Sequence, residues 1–312
     1  MKQLDIVIPC YNEQECIRSI YKDISTVMRD VADWKNNICF IDDGSRDNTL
    51  AEIKTLAEND GYVDYIAFSR NFGKEAAIYA GLRFSHGEAV VIMDADHQDP
   101  PKMLPQMLEM LDNGYDMVAV HRTDRKGEPI IRSWFANKFY ALMNKFSDIN
   151  MEPGARDYRL MTAQVRDALL SMSERERFSK GLFAWVGFKV KWLDIPNIQR
   201  KAGTTSWSFW SLLKYAISGI VAFTTAPLRL ALVIGGFTAT AGTIYLLYRI
   251  IRYRFLITTD SIIIALILII GGVTIGLLGI IGEYLARMFS EVKRRPLYII
   301  KEANINLSKD KY

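Results

Sequence analysis

The sequence predicts an α/β domain built on a mainly parallel sheet, followed by an interfacial helix and two transmembrane helices. Three observations predict it. Short apolar runs alternate with amphipathic stretches through the first 125 residues, two long apolar runs follow residue 227, and charge is divided unevenly between the two parts. Residues 1–200 carry 26 Lys plus Arg against 30 Asp plus Glu, whereas residues 201–312 carry 13 against 5. With 50% hydrophobic residues in 312, the chain is neither a disordered tail nor a disulfide-stapled miniprotein. The basic excess flanks apolar runs and forms no stripe interleaved with aromatics, which favours membrane lipids as a partner and excludes nucleic acid.

The strands come first. Leu4–Ile8, Ile38–Ile41, Tyr62–Phe68, Ala89–Met93 and Met117–Val120 are short, mostly β-branched or aromatic runs that read as buried strands. Between them Ile17, Ile20, Tyr21, Ile24 and Val27 recur at helical spacing, as do Leu50, Ile53 and Leu56 and the small residues Ala77, Ala80 and Gly81. Alternation of this kind implies a site at the carboxyl ends of the strands. Polar residues cluster there: Pro9-Cys10-Tyr11-Asn12-Glu13, Asp42-Asp43-Gly44-Ser45, Ser69 to Lys74, and Asp94-Ala95-Asp96-His97-Gln98-Asp99. One such loop is an ordinary turn or cap. Four together, rich in carboxylates, read as a site.

Asp94 and Asp96, separated by one residue after a buried strand, aim two carboxylates at one pocket. With Gln98 as a neutral oxygen they suit a hard divalent cation, Mg²⁺ or Mn²⁺, that holds substrate phosphates. No G-x-G-x-x-G and no P-loop occurs, so neither of those phosphate cradles applies. Cys10, Cys16 and Cys39 show no metal spacing and read as packing residues.

Farther along, Ser206–Ala226 carries Trp207, Trp210, Leu213 and Ile217 at helical spacing beside Lys214, the pattern of a helix lying in the headgroup layer, with a buried bundle helix as the alternative. Pro227 ends it. Leu228–Tyr248 and Ser261–Gly282 are each long enough, at about 1.5 Å per residue, to cross roughly 30 Å of hydrocarbon. Arg200, Lys201, Lys214 and Arg229 before the first run, and Arg287, Lys293, Arg294, Arg295 and Lys301 after the second, place both termini in the cytoplasm; Arg249, Arg252 and Arg254 between the runs weaken that asymmetry without reversing it. Leu4–Pro9 is too short for a secretory leader and Asp5 interrupts it. The expected organisation is a catalytic domain over 1–205, an interfacial helix over 206–227, a two-helix membrane region over 228–284 and a cytoplasmic tail over 285–312. Gly235-Gly236 and Gly271-Gly272 offer close helix approach, within one protomer or in a homo-oligomer formed through the spans.

Four motifs carry a resemblance: I-V-I-P-C-Y-N-E at Ile6–Glu13, D-D-G-S at Asp42–Ser45, R-N-F-G-K at Arg70–Lys74 and D-A-D-H-Q-D-P-P at Asp94–Pro101. The chain resembles glycosyltransferase family 2, enzymes of the Rossmann-like GT-A fold, and within it the polyprenyl-phosphate glycosyltransferases of the bactoprenol glucosyltransferase and dolichol-phosphate mannose synthase type. That resemblance implies a UDP-sugar donor held by Pro9, Tyr11, Asn12, Glu13, Asp42, Asp43, Lys74, Asp94, Ala95, Asp96 and Gln98, with the metal on Asp94, Asp96 and Gln98. His97 stands where the family has an apolar residue and reads as a residue that supports the metal-binding side chains from behind or simply packs.

For the acceptor, a polyprenyl phosphate, cations are needed, and Arg122, Arg132, Arg200 and Lys201 are expected to bind it; the guanidinium fork suits phosphate. Asp157, Asp96 and Arg122 are the expected catalytic residues, Asp157 acting as base, or orienting Arg156 or Arg159, or positioning the donor sugar. The implied activity is inverting transfer of one sugar, glucose or N-acetylglucosamine, from UDP to undecaprenyl phosphate at the cytoplasmic membrane, for modification of a cell-envelope glycan. The alternatives are a processive polysaccharide synthase, whose Q-x-x-R-W spacing Gln199-Arg200-Lys201 lacks, and a non-catalytic membrane scaffold.

Overall fold

The computed structural model describes residues 1–122, 140–145 except 142, 149–196 except 173 and 176, 260–305 and 307, with scattered positions between 221 and 244. The elements are β1 (Lys2–Cys10), α1 (Ile17–Arg29), β2 (Trp34–Asp42), α2 (Thr49–Asn59), β3 (Val63–Phe68), α3 (Lys74–Phe84), β4 (Ala89–Ile92), α4 (Leu104–Asp112), β5 (Met117–Arg122), β6 (Ala155–Thr162), α5 (Ala163–Ser171), α6 (Ser179–Trp185), β7 (Val190–Ile195), α7 (Asp260–Lys293) and β8 (Ile300–Ala303). All five strands read from the sequence are present, with β1 and β2 extended at both ends.

These strands form one eight-stranded sheet in the order β7-β5-β6-β4-β1-β2-β3-β8. The block β4-β1-β2-β3 is parallel throughout, and β5 is parallel to β7. β6 runs antiparallel between β4 and β5, and β8 runs antiparallel along β3. Neither antiparallel strand was expected. Because β6 reverses between two parallel neighbours, its first residues enter at the edge where β4 and β5 end.

Side-chain alternation divides the core in two. Leu4, Ile6 and Ile8 of β1 pack with Ile17, Ile20 and Ile24 of α1 on one face of the sheet. Val7 points the other way, into Ala77, Ala80 and Leu82 of α3. The small-residue face of α3 has a steric cause: a Cβ on Gly81 would stand 2.1 Å from Val7 Cγ1. The three cysteines are free and buried in this core, and burial raises each thiol well above its ordinary pKa, as packing residues require.

α7 is the one described helix long and apolar enough to cross a membrane. Its 34 residues extend about 50 Å, more than the hydrocarbon needs, so its charged end with Glu283, Arg287, Glu291 and Lys293 projects beyond an apolar stretch. Glu291 accepts the N–H of Arg175 at 2.7 Å, and the Tyr284 hydroxyl donates to the Thr224 carbonyl at 2.6 Å. That carbonyl lies just ahead of Pro227, in the break between helical positions 221–223 and 227–228. Phe223 packs edge-on against Phe178, with ring centroids 6.0 Å apart. Most of the expected interfacial helix and of the first expected span lies outside the described residues.

The C-terminal stretch, expected as a tail from residue 285, continues α7 to Lys293 and then closes the sheet as β8. Ser69 donates its N–H to Ile299 at 2.9 Å, Tyr298 stacks on Phe68 at 4.9 Å, and Glu302 pairs with Lys54 at 2.5 Å. Asn304 accepts the Tyr65 N–H through its side chain at 2.6 Å. Together these cover the edge of β3, which a free strand would leave open to pairing with other chains. Deleting residues from 297 onward is expected to lower stability on the order of 2–4 kcal/mol and to promote aggregation, measured by melting and light scattering of the detergent-solubilised protein.

Candidate active site

Strand direction builds the site. β1, β2, β4 and β5 end at one edge, where β6 begins, so the loops at Pro9–Glu13, Asp42–Ser45 and Asp94–Asp99 meet Arg122 and Ala155–Asp157. Ile92 pairs with Arg159 across the antiparallel ladder. Two residues onward from the first and two back from the second stand Asp94 and Asp157. Lys74, at the start of α3, joins them: its Nζ lies 2.7 Å from Asp94 Oδ1 and 2.7 Å from Asp157 Oδ2.

This triad sets its own charges. Burial pushes the Asp157 carboxyl up, but Lys74, with Lys180 and Arg159 behind it, overcomes that and holds the group well below the usual carboxylate range. Burial likewise lowers Lys74, and the two carboxylates more than reverse it, raising the ammonium well above its ordinary value. Arg159 is buried on the same face, with its guanidinium 4.4 Å from the Phe183 ring and 5.2 Å from that of Trp192. Burial pulls it down to about 10.

The opposite face of β6 carries Arg156 and Tyr158. Arg156 Nε pairs with buried Asp99 at 2.7 Å, and its Nη2 donates to Gln98 Oε1 at 3.3 Å. Arg122 donates to the same oxygen at 3.1 Å. The Gln98 amide oxygen, expected as a neutral cation ligand, thus accepts from two guanidinium groups. Asp94, paired with Lys74, and Asp96 are the other two expected cation ligands. Ala95 between them is buried, Asp96 is 3% exposed, and Asp96 Oδ1 accepts the Gln98 N–H at 3.0 Å. Among the described residues no three His, Cys, Asp or Glu are grouped to hold an ion. Two carboxylates are nevertheless enough for a metal that keeps waters and substrate phosphates as its other ligands.

His97, with φ of 61°, turns its ring away from this pair: Nε2 lies 2.7 Å from Ser19 Oγ, and Nδ1 is 3.2 Å from Asp23 Oδ2. It packs behind the loop, as its position in the motif indicated.

At the ends of β1 and β2, Asn12 (φ 55°) knits the first two loops together. Its N–H donates to Ser45 Oγ at 2.9 Å and its Oδ1 accepts the Arg46 N–H at 2.9 Å. The Glu13 N–H donates to Thr49 Oγ1 at 2.8 Å. Asp42, buried beside them, accepts the Ser45 N–H at 3.3 Å. Burial raises its carboxyl, opposed by the bonds from Ser45. Tyr11 is exposed and Pro9 half-buried at the same edge.

Asp43 has a structural task. Its two oxygens accept the N–H groups of Phe72 at 2.6 Å and Gly73 at 2.9 Å, so it ties the β3–α3 loop to the end of β2. Burial pushes its pKa to about 6 against those two bonds. Folded-state protonation is therefore favoured over the unfolded chain, and the stability so gained is full below the unfolded value of about 4 and lost as pH rises through 6. Wild type is expected to gain about 1 kcal/mol from this group between pH 7 and pH 5. Asp43→Asn should flatten that part of the melting-temperature profile.

Arg132, Arg200 and Lys201 lie outside the described residues; of the expected acceptor cations the structure places Arg122, at the end of β5 beside Gln98. Asp99 was not singled out from the sequence, and Arg156 was named there only as a group for Asp157 to orient, whereas Asp157 pairs with Lys74. Asp99 was visible as the last carboxylate of its loop, and Arg156 and Asp157 as alternating charges in an otherwise apolar strand.

Residues 5–168 match the family described as Glycosyl transferase family 2, and residues 226–288 match the GtrB C-terminal hairpin. CsbB of Bacillus subtilis (strain 168), whose name designates a glycosyltransferase, is 43% identical over 98% of this chain and 94% of its own length. The bactoprenol glucosyl transferase of Shigella phage SfII is 36% identical, covering 97% of this chain and 98% of the relative. A prophage bactoprenol glucosyl transferase homolog of Escherichia coli (strain K12) is 37% identical over 96% of this chain and 98% of its own. With the sheet, the strand-end loops and the carboxylate pair in agreement, the chain belongs to glycosyltransferase family 2 and is a glycosyltransferase.

Proposed function

We propose that this enzyme transfers a single sugar, with glucose the first candidate and N-acetylglucosamine the second, from a UDP-sugar to undecaprenyl phosphate at the cytoplasmic membrane. The observation that carries the reading is end-to-end similarity to proteins named bactoprenol glucosyl transferases, extending through the C-terminal hairpin as well as the catalytic domain. A lipid acceptor also accounts for an apolar helix that ends against the catalytic domain.

The donor lies across Pro9, Tyr11, Glu13 and Asp42, with its diphosphate toward Asp94 and Asp96. A divalent metal, Mg²⁺ or Mn²⁺, on these two carboxylates would supply charge compensation for the departing UDP. Arg122 faces the acceptor phosphate. An oxygen of that phosphate forms the new bond to the anomeric carbon as the bond to the UDP oxygen breaks, so the centre inverts. A phosphate monoester has a second pKa of about 6, and at neutral pH the attacking oxygen is already largely ionised. Asp157, held deprotonated by Lys74, is a weak proton acceptor. Both facts favour an orienting role for Asp157, fixing Lys74 beside Asp94, over general-base catalysis.

Both termini and the catalytic domain are placed on the cytoplasmic side, with two spans, 228–248 and 261–282. The pairing of β8 with β3 supports a return of the chain to its starting side. Protease added outside intact cells should leave the segment after Arg295 uncut; cleavage there would refute the orientation.

To test the activity, purified protein in detergent is incubated with undecaprenyl phosphate, Mn²⁺ or Mg²⁺ and each of several UDP-sugars, and the lipid is weighed by mass spectrometry. One hexose added from UDP-glucose is the expected result. A water-soluble polymer instead would replace this reading with a processive synthase, and an inert wild type across the donor panel would reopen the donor assignment.

A further inference from the structure

Asp99 is fully buried: Oδ2 accepts the N–H of Asp94 at 2.9 Å, and Oδ1 makes a charge contact with Arg156 Nε at 2.7 Å. Arg156, 8% exposed, reaches on to the Gln98 amide oxygen with its other arm. The next residue but one, Tyr158, donates its hydroxyl to the Pro100 carbonyl at 3.2 Å. β6 therefore grips the loop after β4 at three points, the Asp99 carboxylate, the Gln98 side chain and the Pro100 carbonyl, and Asp99 passes the hold on to the Asp94 backbone within the loop that also carries Asp96. A buried ion pair is a poor stability device, since desolvating two charges offsets most of their attraction. Its geometry offers something an apolar pair does not, two oxygens and a fork that fix separate points of one loop.

We propose that Asp99 and Arg156 are positioning residues for the donor's diphosphate, setting the spacing of Asp94 and Asp96 and holding the Gln98 oxygen away from that pair. The inference rests on the UDP-sugar reading above. Groups that orient metal-binding side chains typically change metal affinity or activity by about 10- to 100-fold when altered.

The test is calorimetric titration of UDP into the full-length, detergent-solubilised protein with and without Mn²⁺, alongside melting temperatures without ligand. Asp99→Asn keeps an oxygen for the Asp94 N–H and removes the charge opposite Arg156. In this variant the strengthening of UDP binding by Mn²⁺ should fall about 10- to 100-fold, with metal-free UDP affinity unchanged. The double variant Asp99→Asn/Arg156→Gln relieves the buried charge imbalance, so its melting temperature should recover while the Mn²⁺ effect stays lost. Should Asp99→Asn not fold, Arg156→Lys, which keeps the charge and loses the fork, carries the same expectation.

If Asp99→Asn melts lower yet keeps the wild-type Mn²⁺ effect, the pair is structural only and the proposal is overturned. A wild type that binds UDP equally with and without Mn²⁺ also overturns it, leaving the donor reading intact. A wild type that binds no UDP at all removes the donor reading and this proposal with it, and shows itself before any substitution is made.

Discussion

Lys74→Met is expected to reduce kcat/KM about 100- to 1,000-fold in the lipid-product assay, the scale seen when a fixed charge aimed at a reacting centre is removed. The ammonium lies 2.7 Å from an oxygen of each of two carboxylates, Asp94 and Asp157, that come from different strands. Without it the carboxylates face one another across a partly buried gap, and shared protonation becomes the cheapest way to relieve their repulsion. One of the two would then be neutral when the donor arrives. Lys74→Arg should recover little, because a planar fork does not reproduce a point charge between two oxygens. The same substitution has a stability signature. In the wild type the depressed pKa of Asp157 contributes stability that is present above the unfolded value of about 4 and lost as pH falls toward the lower folded value. The raised pKa of Lys74 contributes stability present below its unfolded value of about 10 and lost only as pH rises through its higher folded value. The pair is therefore intact across the neutral range, and Lys74→Met should flatten the acid limb of the melting-temperature curve.

Gly44→Ala is expected to destabilise the protein by about 2–5 kcal/mol. Gly44 has φ of 68°, and a Cβ there would lie 2.4 Å from the Arg70 carbonyl carbon and 2.8 Å from the Asn71 nitrogen. Both obstacles are backbone, so no rotamer change relieves them. Strain and clash act together, in the turn that carries Asp42 and Ser45. Because the Asn12 N–H donates to Ser45 Oγ, the displacement should pass to the first donor loop, and KM for the UDP-sugar should rise with the loss of stability. A variant that melts like wild type would show that the Arg70 backbone can retreat, and the turn would then not be a rigid part of the donor site.

Much of the site was legible because it depends on short-range order. A buried strand must end, and the residues just past its end lie at one edge whatever the rest of the chain does. Asp42, Asp94, Asp96 and Lys74 could be assigned to that edge from the apolar runs before them. The direction and neighbours of β6 could not be read in this way. Ala155–Thr162 carries three charged residues, Arg156, Asp157 and Arg159, within an eight-residue strand, and each is accommodated by a partner far away in sequence.

Gln98 shows the same limit at the scale of one side chain. An amide oxygen beside two aspartates reads as a cation ligand, and only the fold shows that Arg122 and Arg156, from other strands, donate to it. Asp43, next to Asp42 in sequence but just past the end of β2, accepts the N–H groups of Phe72 and Gly73 in the neighbouring strand-end loop, a pairing set by the β2–β3 neighbourhood. The C-terminal strand was likewise hidden: Ile300–Ala303 is too short to stand out by pattern and gains its hydrogen bonds only from the open edge of β3.

By itself, then, the sequence determined the α/β alternation, the edge that holds the site, the carboxylate pair and the apolar stretch that α7 carries, since each follows from local periodicity and composition. Only the tertiary structure decided that β6 reverses between β4 and β5, that Lys74 joins Asp94 to Asp157, that Asp99 and Arg156 grip the loop between them, and that the chain returns as β8. Those outcomes depend on which buried charges and unpaired backbone groups find one another across long loops, and a linear pattern does not encode that pairing.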